Sequence, residues 1–339
     1  MSRLKNHKIW KLRDKEETVA KKARDVIPGV KTLFGMPICI NLDELSADIA
    51  FLGLPFDCGS RRWCRGGTRW GPAAIRQTQS EYSYTDDDQG EAACGWFNVD
   101  TGAEELKGVT MADCGDVNIL PTENEGNFDR AARTVRRIVS RGAFPLVIGG
   151  DHTIPFLVVR ALDRYDPLDI VYLDAHLDFE DETEEGVKVF NASAFRRCSE
   201  LPFVHNITLI GLRAPLPPSS RKAYDAALGY GEKVITANRF REMGAAKAVE
   251  GVPRAENIYV SLDVDVLDPS VAPGTTFPEP GGLSFVEVQQ TLVGIAKRGR
   301  VVGFDVACFC PAYDCSNLTS RAIAALILHF MGAIFPSKK

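Results

Sequence analysis

Aspartate and histidine side chains follow an apolar run at three places in this 339-residue chain. The central segment, Asp174-Ala-His-Leu-Asp178, comes directly after the apolar run Ile170–Leu173. Because alternate side chains of an extended chain point the same way, Asp174, His176 and Asp178 are predicted to leave the end of a strand on one face. Two carboxylates and an imidazole suit a hard or borderline divalent cation.

The same pattern occurs once upstream and once downstream of this segment. The run Phe144–Ile148 precedes Gly149-Gly-Asp-His-Thr153, and the run Ile258–Leu262 precedes Asp263-Val-Asp265. Apolar runs of this length are typical of buried parallel strands, and open α/β sheets gather their ligands at the carboxyl ends of such strands. Three such ends, which together supply two histidines and four aspartates, favour a metal site over separate helix caps or turns.

These segments resemble the ureohydrolase family, which comprises the arginases, agmatinases and guanidinobutyrases. Three family motifs, Gly-Gly-Asp-His, Asp-Ala-His-x-Asp and Ser-x-Asp-x-Asp-x-x-Asp-Pro, are present as Gly149–His152, Asp174–Asp178 and Ser261–Pro269. The resemblance extends from about Asp48 to the C-terminus. It implies the arginase-like fold and the hydrolysis of a carbon–nitrogen bond in a guanidino compound.

The resemblance also implies two divalent metal ions that share carboxylates. One ion would be held by His152, Asp174, Asp178 and Asp263. The other would be held by Asp174, His176, Asp263 and Asp265. The family in general implies Mn²⁺, whereas its guanidine and metformin hydrolases imply Ni²⁺, and a set of nitrogen and oxygen ligands does not choose between the two metals.

The chemistry implied by this metal pair is hydrolytic. Two close cations lower the pKa of a water molecule, and the resulting hydroxide attacks the guanidino carbon. The leaving amine must be protonated, and Asp178 is the expected proton carrier as well as a ligand. Asp178 and His176 are therefore the candidate catalytic residues.

Length and pattern predict an α/β fold with three α/β/α layers around a mainly parallel sheet of about eight strands. Residues 1–32 contain ten Lys or Arg and four Asp or Glu, which predicts a basic N-terminal extension over residues 1–45 that is either solvated or in contact with another subunit. Residues 46–339 are predicted to form one catalytic domain. We expect a homo- or hetero-hexamer, the latter with a related paralogous chain.

Composition excludes several other classes of protein. The net charge of −5 gives no reason to expect nucleic acid as a partner. No apolar run reaches membrane-spanning length, and the N-terminus has no signal-peptide pattern. Nine cysteines without a C-x-x-C pair favour reduced thiols and a cytoplasmic protein.

Several positions depart from the family pattern in the expected substrate pocket. Asn191 stands where relatives have a histidine, and Cys308 stands where they have a guanidinium-binding glutamate. Phe277, Leu177 and Phe179 add apolar surface. These five residues are the candidate substrate-binding residues. The pocket is expected to have lost an anion and an imidazole, which disfavours an unsubstituted guanidinium.

These departures favour a substituted guanidine or a biguanide as substrate. The best candidate is metformin, hydrolysed to guanylurea and dimethylamine, and the chain resembles the metformin hydrolase and guanidine hydrolase branch of the family. Two alternatives stay open. In the first alternative, the chain is an enzyme of the agmatinase or guanidinobutyrase type. In the second, it is a catalytically silent or regulatory subunit of a hetero-oligomeric ureohydrolase.

Overall fold

The structure is a computed structural model that describes residues 30–60, 66–80, 82, 95–213 and 220–338. Eight of its strands form one sheet. They are β1 (Ile49–Leu54), β4 (Met111–Asp116), β5 (Phe144–Gly149), β6 (Leu168–Leu173), β7 (Val204–Leu212), β8 (Lys233–Thr236), β9 (Ala255–Asp263) and β10 (Gly299–Ala307). A separate antiparallel pair consists of β2 (Trp96–Asn98) and β3 (Ala103–Glu105).

The strand order in the large sheet is β4-β1-β5-β10-β9-β6-β7-β8. Every neighbouring pair of strands in this sheet is parallel. Parallel strands need helical crossovers, and these cover both faces of the sheet. The predicted α/β/α architecture with an eight-stranded sheet is therefore confirmed.

Helices cover the sheet on its two faces. They are α1 (Gly71–Ile75), α2 (Asn124–Ser140), α3 (Ile154–Val159), α4 (Ala194–Ser199), α5 (Arg221–Tyr230), α6 (Ala237–Gly251), α7 (Phe285–Ile295) and α8 (Leu318–Ile334). Helices α6, α7 and α8 contribute to one apolar cluster, and α2, α3, α4 and α5 contribute to the other. Each of these two layers packs against one face of the sheet.

Strand β6 illustrates why the sheet is apolar on both sides. Its residues Val171 and Leu173 belong to the cluster that contains α6, α7 and α8, while Ile170 and Tyr172 belong to the opposite cluster. All six residues of the strand are buried. Alternate side chains therefore enter different cores, which is the reason for an uninterrupted apolar run instead of an alternating pattern.

The strand order brings the three predicted metal segments to one edge of the sheet. Strands β5, β10, β9 and β6 are consecutive neighbours, and the segments with aspartate and histidine follow β5, β9 and β6. Within the described ranges, no helix has the length and apolar character needed to cross a membrane.

The predicted N-terminal extension lies mainly outside the described residues, which begin at Val30. Its last part is described, and there Leu33, Phe34 and Met36 are buried in the core. The backbone N–H of Leu33 donates to Asp113 at 3.0 Å. The division between an extension and a catalytic domain at residue 45 stays a prediction, but residues 33–36 pack with the catalytic domain.

Candidate metal centre

The segment after β5 makes a tight turn that places His152 at the sheet edge. A Cβ atom on Gly150 would lie 1.7 Å from the carbonyl oxygen of Phe56, so only glycine fits there. Asp151 accepts hydrogen bonds from the backbone N–H groups of Gly59, at 2.8 Å, and Thr153, at 2.9 Å. These contacts fix the turn and direct the His152 side chain towards β6 and β9.

Three side chains form what we call the enclosed group: His152, Asp174 and Asp178. The Nδ1 atom of His152 lies 2.8 Å from Oδ2 of Asp178 and 2.9 Å from Oδ2 of Asp174. The His152 side chain is 1% exposed. One nitrogen and two carboxylates thus converge on a point inside the protein.

Three side chains form what we call the open group: Asp174, His176 and Asp265. The Nδ1 atom of His176 lies 3.1 Å from Oδ2 of Asp265 and 3.5 Å from Oδ1 of Asp174. The His176 side chain is 28% exposed. Asp174 belongs to both groups, so the two candidate cation positions are adjacent.

Asp263 adds a further carboxylate to this centre. Its Oδ2 lies 3.3 Å from Nδ1 of His152, and its Oδ1 accepts a hydrogen bond from the backbone N–H of Asp265 at 2.9 Å. Asp263 therefore contacts the enclosed group and orients the segment of the open group. The structure brings all six predicted ligand residues together.

The charges in the centre fit a pair of divalent cations. Oδ2 of Asp174 is buried, and it lies 2.9 Å from Nδ1 of His152 without a well-aligned hydrogen bond. Burial raises the pKa of Asp263 well above its usual range, and the carboxylates of Asp265 and Asp174 raise it further. Burial alone would lower the pKa of His152, but Asp263 and Asp174 hold it well above the ordinary value. This buried negative charge and the set of oxygen and nitrogen donors match a hard or borderline divalent metal.

A chain of hydrogen bonds holds the His152 ring at its Nε2 atom. Its Nε2 lies 3.1 Å from the hydroxyl of Ser261, which donates to Oδ1 of Asp305 at 3.0 Å. The hydroxyl of Tyr259 donates to the other oxygen of Asp305. Burial raises the pKa of Asp305 to about 6. Such outer contacts orient a ligating imidazole and leave its other nitrogen free for the metal.

Arg213, which directly follows β7, fixes the loops that carry Asp265 and Glu279. Its guanidinium donates to the carbonyl oxygens of Asp265, Val266 and Glu279 at 2.5, 3.2 and 2.8 Å. Its own backbone N–H donates to Ala175 at 3.0 Å. One planar cation thus ties together three segments around the open group.

Two of the five predicted substrate-binding residues, Cys308 and Phe277, contact residues of the centre, and a third, Asn191, is bonded to the loop that holds the turn before His152. Cys308 follows β10 with a φ of 64°, is buried, and its thiol is hydrogen-bonded to Asp263. The ring of Phe277 meets the ring of His176 edge-on, with 6.0 Å between centroids. Asn191 is half-buried, and its backbone N–H donates to Gly59, the residue that binds Asp151.

The other two predicted substrate-binding residues, Leu177 and Phe179, belong to the apolar core on the side of α4 and α5. They are 4% and 1% exposed, and the ring of Phe179 packs against Tyr230. The prediction that they add apolar surface to the pocket is therefore corrected. Leu177 and Phe179 alternate with the ligands His176 and Asp178, so their side chains leave the chain on the opposite side and enter the core.

Sequence reasoning missed several residues that shape the centre. Glu279 places Oε1 3.8 Å from Nε2 of His176, and Arg213 and Asp305 support the loops and His152. Arg213 directly follows β7 and Asp305 lies within β10, but neither spacing nor periodicity shows which carbonyl or hydroxyl they contact. The family pattern Pro278–Leu283 contains Glu279 and was the signal that could have identified it.

Comparisons with known proteins agree with this geometry. The profile of the Arginase family matches residues 47–332. The chain is 30% identical to the mitochondrial guanidino acid hydrolase of Homo sapiens over 90% of this chain and 83% of that protein. It is 31% identical to the guanidinobutyrase of Pseudomonas aeruginosa over 91% and 93% of the two chains. The solved structure of proclavaminate amidinohydrolase from Streptomyces clavuligerus superposes with a TM-score of 0.76, at 30% identity, over 90% of this chain and 97% of that one.

Fold, site and relatives together define an amidine hydrolase, and the chain belongs to the arginase family. It is a hydrolase that acts on carbon–nitrogen bonds of guanidino compounds. Enzymes of this family use a binuclear divalent metal centre, and the enclosed and open groups are this chain's candidate ligand clusters.

Proposed function

We propose that this enzyme hydrolyses a substituted guanidine or a biguanide, with metformin, cleaved to guanylurea and dimethylamine, as the best candidate. His152, Asp174, Asp178 and Asp263 would hold one divalent cation. Asp174, His176, Asp263 and Asp265 would hold the other. When bound, this pair supplies activation of a water molecule and neutralisation of the carboxylates.

The protein side chains would then orient the substrate and transfer protons. Oδ2 of Asp178 is the proposed proton carrier towards the leaving amine, because burial raises the pKa of this carboxyl to about 6, close to the operating pH that general acid–base catalysis favours. His176 is half-buried and would face the substrate on the solvent side. Phe277, whose ring contacts that of His176, would exclude water from the same side.

The observation that carries this proposal is the neutral side chain at the end of β10. Burial and the neighbouring Asp263 raise the pKa of Cys308 well above the usual value, so the thiol is protonated. The family resemblance assigns a guanidinium-binding carboxylate to this position. A compact neutral group there leaves room for an alkyl substituent and favours a substrate whose charge is delocalised, because a buried carboxylate without a tight cation partner is costly.

The test is the substrate profile of Cys308→Glu. Amine release is measured for the metal-loaded wild type and variant on metformin, guanidine, agmatine and 4-guanidinobutyrate. We expect the variant to lose at least tenfold in kcat/KM on metformin, which corresponds to about 1.4 kcal/mol. Cys114→Ser, which alters a buried thiol on the edge strand β4, is the matched control and should leave the profile unchanged.

An unchanged profile for Cys308→Glu would show that position 308 does not contact substrate and would remove the basis of the specificity proposal. A wild type that binds two metals but turns over only agmatine or 4-guanidinobutyrate would favour the second candidate. A wild type without stoichiometric metal would indicate a chain that acts through a partner.

The second candidate is an enzyme of the agmatinase or guanidinobutyrase type. Glu279 favours it, because its carboxylate lies 3.8 Å from Nε2 of His176 at the exposed side of the centre, where it could pair with a cationic amine or guanidinium. The relatives named guanidinobutyrase, from Pseudomonas aeruginosa, and agmatinase, from Gallus gallus, support the same class of substrate. Metformin and agmatine turnover by the wild type separates the two candidates.

The proposal also covers the identity of the metal, the oligomeric state and the cellular location. Proteins of the arginase family are commonly oligomeric, and we infer a hexamer, either of this chain alone or with a related paralogous chain that would contact the basic N-terminal extension. We infer Ni²⁺ or Mn²⁺ as the metal. The seven cysteines in the described part of the chain are all free thiols, which supports a reducing compartment such as the cytoplasm.

A further inference from the structure

Glu232 is an acidic residue buried behind the metal centre. It follows α5 and Gly231, whose φ is 100°, and it directly precedes β8. The side chain is buried, at 4% exposure. Its Oε1 lies 2.6 Å from the hydroxyl of Tyr172, and its Oε2 has no hydrogen-bond partner among the described residues. A buried carboxyl with a single partner requires an explanation.

Tyr172, on β6, makes a second contact with the same hydroxyl. The oxygen lies 2.6 Å from the backbone carbonyl oxygen of Leu177. A phenol has one proton to donate, while a carboxylate and a carbonyl can only accept. Both contacts are satisfied when Glu232 is protonated, because Glu232 then donates to Tyr172 and Tyr172 donates to Leu177. With an ionised Glu232, one of the two short contacts would have no proton.

The surroundings of Glu232 keep it neutral. The titratable groups that face it are Tyr172 on β6, Asp174 and Asp178 beyond it, and Tyr230 at the end of α5. Burial raises the pKa of Glu232 to about 8, and the negative charges of Asp174 and Asp178 contribute to the rise. Burial is the larger cause, and it does not depend on the state of the metal ligands.

The carbonyl that Tyr172 holds belongs to the residue between two proposed metal ligands. Leu177 lies between His176, in the open group, and Asp178, in the enclosed group. Asp178 has a φ of 45°, a backbone conformation that a residue with a side chain rarely adopts. The Tyr172 hydroxyl thus contacts the one peptide group that joins the two groups, directly before this left-handed residue.

The Tyr172 ring also reaches the other side of the enclosed group. It stacks on Phe195, with centroids 3.6 Å apart, and Phe195 packs edge-on against the ring of His152, with centroids 5.3 Å apart. Tyr172 is thus connected through one contact to the peptide before Asp178 and through Phe195 to His152.

We propose that Glu232 is a positioning residue that acts as a neutral carboxylic acid: it donates to Tyr172, so that the Tyr172 hydroxyl holds the Leu177 carbonyl and fixes the peptide between His176 and Asp178. This inference rests on the proposed assignment of His176 and Asp178 as metal ligands. Loss of the chain of hydrogen bonds should weaken metal binding about tenfold or more, as expected for contacts that orient ligands.

Infrared spectroscopy tests the protonation state without metal or substrate. The metal-free wild type at neutral pH should show the carbonyl stretching band of a protonated carboxylic acid, shifted in D₂O. The difference spectrum of wild type minus Glu232→Gln should contain this band, because any other protonated carboxyl, such as Asp263, contributes equally to both proteins. Spectra of wild type and variant that do not differ in this region would mean that Glu232 is ionised and would overturn the proposal, whatever the enzyme's activity.

Metal titration tests the positioning role. Mn²⁺ and Ni²⁺ affinities are measured for wild type, Glu232→Gln, Glu232→Ala, Tyr172→Phe and the control Tyr230→Phe. Tyr230 is the last residue of α5, two residues before Glu232, and its hydroxyl donates to the backbone carbonyl of Val204 at 3.1 Å. We expect tenfold or weaker binding for Glu232→Ala and Tyr172→Phe, and near wild-type binding for Glu232→Gln, whose amide N–H replaces the donated proton.

Each outcome of this titration bears on the inference. Wild-type affinity in Tyr172→Phe, or a Glu232→Gln variant as weak as Glu232→Ala, would overturn it. Tyr172→Phe keeps the buried ring, so its fold is expected to be retained and can be checked by circular dichroism. A wild type that binds no metal would refute the proposed metal ligands, whereas the infrared result would still show whether the chain of hydrogen bonds exists.

Discussion

The enclosed group and the open group use the same kinds of side chain, but they are built into the protein differently. His152 is 1% exposed and is held by Ser261 and Asp305 from behind. His176 is 28% exposed, and its outer nitrogen faces Glu279 at 3.8 Å, beyond hydrogen-bond distance. The enclosed group is thus part of the core, whereas the open group is a loop edge that solvent and substrate can reach.

This difference in burial suits the two histidines to different roles. A fully desolvated histidine with satisfied outer contacts can fix a cation in one geometry. A half-exposed histidine beside an acidic residue and an aromatic ring can contact a substrate and tolerate changes in it. Substitutions in the enclosed group should therefore affect folding and metal content, and substitutions in the open group should mainly affect catalysis.

The largest effect is expected where the two groups meet. Asp174→Asn or Asp263→Asn removes a carboxylate charge that both proposed cations share, so each variant should lose both metals and activity should fall by several orders of magnitude. Metal stoichiometry by mass spectrometry is the measurement. Asp129→Asn, in a surface pair with Arg160, is the control. Two bound metals in Asp174→Asn would refute the shared site.

A smaller effect should distinguish the two histidines. His152→Asn removes the imidazole that contacts Asp178 and Ser261, although Ser261 keeps its bond to Asp305, and should lower the free energy of unfolding by about 2–3 kcal/mol. His176→Asn, at the exposed edge, should cost less than about 1 kcal/mol. Urea unfolding of the metal-free proteins measures both changes. Equal losses would mean that the two groups do not differ in how the core holds them.

The pH dependence of stability tests the protonation of Glu232, which supports the peptide between Leu177 and Asp178 through Tyr172. The pKa of Glu232 is about 8 in the folded protein, against an ordinary value of 4.5. The folded state therefore binds more protons between these values, and the free energy of unfolding falls as the pH rises through this window. The loss between about pH 6 and pH 8 should be about 2 kcal/mol.

Over this window Glu232→Gln should lose about 2 kcal/mol less stability than the wild type, because an amide does not titrate there, whereas His152, Asp178 and Asp305 titrate in both proteins. Chemical unfolding of the metal-free wild type and variant at both pH values provides the comparison. Parallel pH profiles for the two proteins would place the folded-state pKa of Glu232 near its unfolded value.

The smallest effect is expected at the exposed edge. Glu279→Gln removes a charge 3.8 Å from His176, and a partly exposed pair at this distance contributes at most about 1 kcal/mol. Stability and metal content should stay unchanged, while KM for a substrate with a cationic tail, such as agmatine, should rise a few-fold. A loss of bound metal in this variant would mean that the open group depends on Glu279 as the enclosed group depends on Ser261.

Much of the fold could be predicted because the strands carry a strong local signal. The apolar runs Phe144–Ile148, Ile170–Leu173 and Ile258–Leu262 were predicted as strands and form β5, β6 and β9. The start of α7 also carries a local signal, the capping box of Ser284 and Glu287. Strand β4 was missed because its sequence, Met111–Asp116, contains two aspartates and a glycine and it lies at the sheet edge. Helix α6 was missed because Gly244, with a φ of 78°, interrupts it.

Part of the candidate site could also be predicted, and part could not. Its ligands could be predicted because each follows a strand within a few residues, and the parallel sheet gathers strand ends. The supports could not be predicted, because Tyr172 meets Glu232 60 residues along the chain and His152 meets Ser261 109 residues away. Leu177 and Phe179 were misplaced because the alternation that puts Asp174, His176 and Asp178 on one face puts these two residues on the opposite face, which packs into the core.

The position of β10 has a consequence for how the protein is made. This last strand of the sheet lies between β5 and β9 and pairs with both. A nascent chain synthesised only as far as Arg298 contains every proposed ligand, from His152 to Asp265, but lacks the strand that sets the spacing between them. We therefore expect the proposed metal ligands to reach their final spacing only after β10 has paired with β5 and β9.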